Sequence, residues 1–176
     1  MASTTLSVSP PVPLSVKISH FLSTIVSIFN VIVIAVFIAH NDVMDYSPDM
    51  NIEPILITII PTNAFAFLWS AASLLLSMAL GKNMHLGWHV GFSTASSLVL
   101  LTASLLAMIL TEHLISPGNE GLVYATGVLT LVNALLQSVG MIWACRKLDV
   151  FNRAMRKAEK AQSDDEALQP RGSNAA

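Results

Sequence analysis

Four runs of this chain contain no Asp, Glu, Lys or Arg: residues 18–39, 55–80, 88–110 and 122–144. The shortest, 18–39, has 22 residues, and a helix rising about 1.5 Å per residue needs about 20 to cross the hydrocarbon core of a bilayer. Hydrocarbon offers no partner for an open backbone N–H or C=O, so a run of this kind must close its hydrogen bonds on itself as a helix. The sequence is only 11% charged, against about 25% for a soluble domain. Together these features predict an all-α integral membrane protein, an antiparallel bundle of four transmembrane helices. The first run exceeds the apolar region of a signal peptide. Lys17 is the one basic residue before it, and bulky Phe37 sits where a cleavage site wants a small residue, so an uncleaved span is expected.

Lys and Arg are retained on the cytoplasmic side of a membrane. With four spans, the N-terminus, the 81–87 loop and the C-terminal tail share one face, which holds all nine basic residues: Lys17, Lys82, Arg146, Lys147, Arg153, Arg156, Lys157, Lys160 and Arg171. The opposite face holds none of them and carries Asp42, Asp45, Asp49, Glu53, Glu112 and Glu120. Both termini are therefore expected in the cytoplasm. Trp88, Trp143 and Tyr124 fall at the span boundaries, where amphipathic rings anchor, whereas Trp69 falls deep in the second run and needs a partner for its indole N–H.

Around the membrane domain, 18–145, three flanking segments are expected. Residues 1–17, with "SPPVP", read as a disordered cytoplasmic N-terminus. Residues 146–162, "RKLDVFNRAMRKAEKAQ", read as a basic amphipathic helix with Leu148, Phe151 and Met155 on one side, lying on or rising from an anionic inner leaflet. Residues 163–176 read as a disordered tail. Pro61 removes one helical hydrogen bond, predicting a kink or a second span that starts near Thr62. Gly81 is the expected C-cap of that span, leading into a tight turn in which Lys82 reaches lipid phosphate.

Within the spans the polar residues are hydroxyls and amides, and they are not scattered. Thr126, Thr130, Asn133, Gln137, Gly140 and Ala144 recur at spacings of three and four, a seam for packing against other helices. Thr58, Thr62, Ala66, Ser70, Ser73 and Ser77 repeat the pattern in the second run, and Ser19, Ser23, Ser27 and Asn30 in the first. The third run opens on Gly87, Gly91 and Ala95, a G-x-x-x-G face for close helix approach within the chain or to a second copy of it. No Asp, Glu, Lys or Arg lies in the runs to serve as a proton relay, which argues against ion-coupled transport.

His85 and His89 are four apart, which on a helix puts them on one face, and His20 ends the first run on the same side. Three imidazoles suit zinc in an open site. The competing reading, interfacial bystanders flanking a turn, is preferred, because histidine pairs at this spacing are common by chance; membrane desaturases and hydroxylases with H-x-x-x-H need several further clusters, and the chain has five histidines in all. The acidic loop from Asp42 to Glu53 lacks the alternate spacing and glycine of a calcium loop. Cys145 stands alone beside Arg146 and Lys147, so it is either a palmitoylation site or a small buried thiol at a helix end.

Four spans, cytoplasmic ends, a very short 2–3 turn and a basic tail, covering Lys17 to Lys160, resemble the layout of small four-span proteins with a MARVEL-type domain, as found in fungi. The resemblance implies non-catalytic work in membrane organisation or vesicle traffic, at the plasma membrane or an endomembrane. The alternative is a small membrane-embedded enzyme or pathway accessory handling lipid-soluble molecules through His20, His85 or His89. The expected partners are the bilayer, anionic inner-leaflet lipids and a second copy of the chain, with no nucleic acid, cofactor or metal.

Overall fold

The computed structural model describes residues 11–43, 53–79, 85–114 and 120–168. Among these it is all helical: α1 (Leu14–Val43), α2 (Glu53–Leu74), which runs on as a wider π-helical turn (Leu75–Ala79), α3 (Leu86–Leu114) and α4 (Glu120–Leu168). Four helices are long and apolar enough to cross a membrane, over Leu14–Ala39, Ile57–Met78, Leu86–Leu110 and within Gly121–Asp164. The Gly81–Lys82 turn and most of the acidic loop, with Asp45 and Asp49, lie outside the described residues.

The helix ends differ from the ends of the apolar runs for local reasons. α1 begins four residues ahead of its run because the Pro13 carbonyl accepts the N–H groups of Val16 (3.1 Å) and Lys17 (3.3 Å). Val12 and Val16, expected in a disordered segment, are instead buried against Leu86 and Ala144. α4 continues to Leu168, so the tail boundary expected at residue 163 moves outward. At 49 residues α4 is about 73 Å long, and from Cys145 to Asp164 every side chain is exposed except half-buried Leu148 and Phe151. α2 continues through Pro61 rather than starting after it. Thr62 Oγ1 donates to the carbonyls of Thr58 (3.0 Å) and Ile59 (2.9 Å), and Asn63 Nδ2 donates to Ile59 O (3.0 Å). These bonds tie two side chains beside Pro61 to carbonyls one turn back on their own helix.

α4 packs along α3 and α1, and α2 along α1 and α3. This gives a ring in the order α1, α2, α3, α4. Across its diagonals α2 touches α4 sparsely, and the backbones of α1 and α3 do not meet. Apolar clusters close both ends of the interior: Ile34, Phe37, Ile59, Ala107 and Val123 at one, and Val12, Val16, Leu86 and Ala144 at the other. Between them the usual polarity is inverted. Ser23, Ser27, Asn30, Ser70, Thr130 and Asn133 are fully buried, while Phe29, Leu68, Leu98, Ile109 and Leu135 are each 58–64% exposed. Soluble proteins bury the second kind of residue and expose the first.

Candidate functional site

Two polar assemblies occupy the interior. The first is a seam of hydroxyls and amides on α4 that ties in α1 and α2. Thr130 Oγ1 donates to Thr126 O (2.7 Å) and accepts from Asn30 Nδ2 of α1 (2.9 Å) and Asn63 Nδ2 of α2 (3.0 Å). One turn further, Asn133 Nδ2 donates to Ser27 Oγ (2.9 Å), and its Oδ1 accepts from Ser23 Oγ (2.5 Å). Gln137 Nε2 donates both hydrogens, to Ser23 Oγ and Ser70 Oγ, each at 2.8 Å, and Ser70 Oγ donates to Ser23 Oγ at 3.1 Å. Ser23, Ser70 and Thr130 each give one proton and accept no more than two, so their bonds are mutually consistent. Interhelical bonds of this kind contribute on the order of 0.6–2 kcal/mol each.

Close backbone approach belongs to α1 and α4, not to the G-x-x-x-G face. Ser19 Oγ donates to Leu136 O, and a Cβ added at Gly140 would stand 2.8 Å from Ser19 Oγ and 3.2 Å from Ser19 Cβ. A side chain at position 140 would therefore force the Ser19 side chain to shift. A Cβ at Gly91 would meet nothing within 4 Å, and one at Gly87 would meet only the His85 ring. Gly91 and Ala95 are exposed. The expected packing role of Gly87 and Gly91 within the chain is therefore corrected: that face of α3 points away from its neighbours.

α3 meets α4 instead through Ser97 and Ser138 (2.5 Å), Thr94 Oγ1 and Met141 Sδ (2.8 Å), and Ser104 Oγ and Gly127 O (2.9 Å). The α3 serines were not singled out in the sequence, since serine at helical spacing is common on any face. An apolar cleft of about 250 Å³ lies between α1 and α2, lined by Val31, Ile34, Ala35, Ile38, Ile60 and Ala64, with Asn63 as its one polar residue.

The second assembly joins two of the three candidate histidines. His20 Nε2 and His89 Nδ1 are 3.1 Å apart, and both rings are buried. Trp69 of α2 packs against both, its ring centre 6.0 Å from that of His20 and 5.7 Å from that of His89. It also stacks on Phe92 at 4.5 Å, and Phe92 stacks on exposed Trp88 at 5.5 Å. His89 is thus no interfacial bystander, because the start of α3 turns it inward across the ring of helices.

His85 is not part of the group. It precedes α3 rather than lying on it, is exposed, and caps the helix by accepting the Gly87 N–H on Nδ1 (3.1 Å) and the Trp88 N–H on its carbonyl (2.9 Å). The shared helical face expected for His85 and His89 therefore does not form. Among the described residues no three metal-ligating side chains come together.

At the end of the apolar stretch of α4, Cys145 is exposed, which overturns the buried-thiol reading and leaves it open to modification. Arg146 lies over the Trp143 ring, 5.8 Å from its centre, and Arg153 pairs with Asp149 one turn away at 2.7 Å. No protein-family model, curated protein or solved structure matches this chain.

Proposed function

We propose that this chain is a non-catalytic, multi-pass membrane protein of MARVEL-like layout, working in membrane organisation or traffic. Its four helices form an antiparallel bundle, both termini face the cytoplasm, and it resides in the plasma membrane or an endomembrane. The observation that carries this reading is the inverted polarity. An exterior of Phe, Leu, Ile and Val around an interior of Ser, Asn, Thr and Gln suits hydrocarbon as its solvent and interhelical hydrogen bonds as its fastening. The continuous α4 carries Arg146, Lys147, Arg153, Arg156, Lys157 and Lys160 beyond its apolar stretch, suited to anionic lipid at the inner leaflet. Tight seams on α1, α2 and α4 suit a scaffold that holds one shape.

The buried His20–His89 pair favours one second reading, a small membrane-embedded enzyme or accessory protein acting on a lipid-soluble molecule. Cells lacking the protein separate the two. Altered distribution of plasma-membrane or endomembrane cargo should be restored by a His20→Gln/His89→Gln double variant under the first reading. If that variant reaches normal abundance and location yet restores nothing, the enzyme reading takes its place.

A further inference from the structure

The helix ring brings together nitrogen-bearing side chains that do not complete one another's hydrogen bonding. His20 Nδ1, Trp69 Nε1 and His89 Nε2 are all buried and all lack a partner among the described residues. Each residue is at least nine-tenths buried. The three rings stand within 6.0 Å of one another, centre to centre, and belong to three different helices. Ser73 and Ser93, one turn along from Trp69 and His89, have unpartnered buried hydroxyls as well. A serine hydroxyl in a helix can turn back to the carbonyl four residues earlier. An indole N–H and the outer nitrogens of a histidine pair have no such local remedy, and buried groups of this kind take a partner.

The chemistry of that partner follows from the pair. Two neutral imidazoles sharing one hydrogen bond always present one N–H and one lone pair at their outer nitrogens, whichever ring donates. The indole adds a donor and nothing else. The rings make no ion pair, and an ion placed here would meet no opposite charge among these groups, which a buried ion requires. The inner nitrogens, His20 Nε2 and His89 Nδ1, are engaged with each other, and no third metal-ligating side chain joins them among the described residues. The group wanted is small and neutral, with an oxygen lone pair for the indole N–H. The stack from Trp69 through Phe92 to exposed Trp88 gives an attached apolar body a surface to lie on.

We propose that His20, Trp69 and His89 form a binding site for a neutral oxygen group, held by the indole N–H together with an outer histidine nitrogen. Water and the carbonyl or hydroxyl oxygen of a membrane-soluble molecule share that chemistry. The site stands on ring geometry and is independent of whether the protein organises membranes or serves a pathway.

Solid-state NMR of the full-length protein in bilayers, with ¹⁵N-labelled Trp and His, tests it. Expression on ¹³C-acetate with all amino acids supplied unlabelled in carbon confines ¹³C to any cellular lipid carried through purification. Trp69 Nε1–H and the outer histidine nitrogens should receive magnetisation either from water or from a ¹³C-labelled carbonyl or hydroxyl carbon, and the source identifies the occupant. In Trp69→Phe, which keeps an aromatic ring on Phe92 and removes only the N–H, the indole signal disappears and the transfer to the histidines weakens while their mutual hydrogen bond persists. Transfer from neither source, with the His20–His89 bond intact, overturns the proposal. So does a spectrum in which the two histidines are not hydrogen-bonded to each other.

Discussion

Replacing Thr130 by Val removes one oxygen and almost no volume, and that oxygen joins three helices. It accepts Asn30 Nδ2 from α1 at 2.9 Å and Asn63 Nδ2 from α2 at 3.0 Å. Hydrogen bonds between helices in a membrane average about 0.6 kcal/mol and reach about 1.7 kcal/mol in double-mutant cycles. Loss of two therefore costs about 1–3 kcal/mol. Asn63 keeps a bond to Ile59 O, whereas the Asn30 amide is left with no described partner, which places the expected value in the upper part of that range. Thr102→Val is the control, since that hydroxyl is exposed and bonds only Leu98 O of its own helix (2.9 Å); its effect should stay within about 0.5 kcal/mol. Reversible unfolding in mixed micelles, titrated with a denaturing detergent, measures both. Adding Asn30→Leu to Thr130→Val should cost less than the two single changes summed, because both delete the same bond. If Thr130→Val and Thr102→Val are equally stable, the seam does not fasten the helices and the reasoning fails.

The glycines should divide by position. Gly140→Ala should destabilise, because its Cβ would press on Ser19 Oγ, whereas Gly91→Ala, with open space around it, should be neutral or stabilise by up to about 1 kcal/mol through helix propensity; the same unfolding titration reads both. Changing Arg156 and Lys157 to Gln should weaken binding of a 146–168 peptide to phosphatidylserine vesicles by about 2 kcal/mol, roughly thirtyfold. Equal affinity for neutral vesicles would remove the lipid role of the basic helix. Protease added to the cytosolic face of sealed vesicles should trim both termini, and a protected C-terminus would invert the topology.

Much of the interior is legible in the residues because a one-helix pattern carries it. Thr126, Thr130, Asn133, Gln137, Gly140 and Ala144 fall on one face by spacing alone, and all six are buried. Ser19, Ser23, Ser27 and Asn30 do the same on α1. Spacing tells which residues share a face, but not which face meets a neighbour. Gly87 and Gly91 therefore read as a packing surface although α3 turns that side outward. The His20–His89 pair was hidden for a related reason. It crosses a diagonal between helices whose backbones never meet, so no local pattern encodes it, and His85 drew attention only by standing four residues from His89. Pro61 read as a kink or as a start near Thr62, and α2 instead begins ahead of it, because a proline in one run of apolar residues does not state where the helix starts.

The inverted polarity implies that α4 turns apolar residues to lipid and its amides inward. A spin-label scan along residues 130–142 in bilayers tests this most directly, comparing relaxation by oxygen, which concentrates in hydrocarbon, with relaxation by a water-soluble nickel chelate. Oxygen maxima are expected at Val132, Leu135, Val139 and Ile142, which are 39–58% exposed, and minima at Thr130, Asn133 and Gln137, each 1% exposed or less. The chelate should reach none of them. Oxygen maxima at the amide positions, or chelate access along the whole segment, would contradict it.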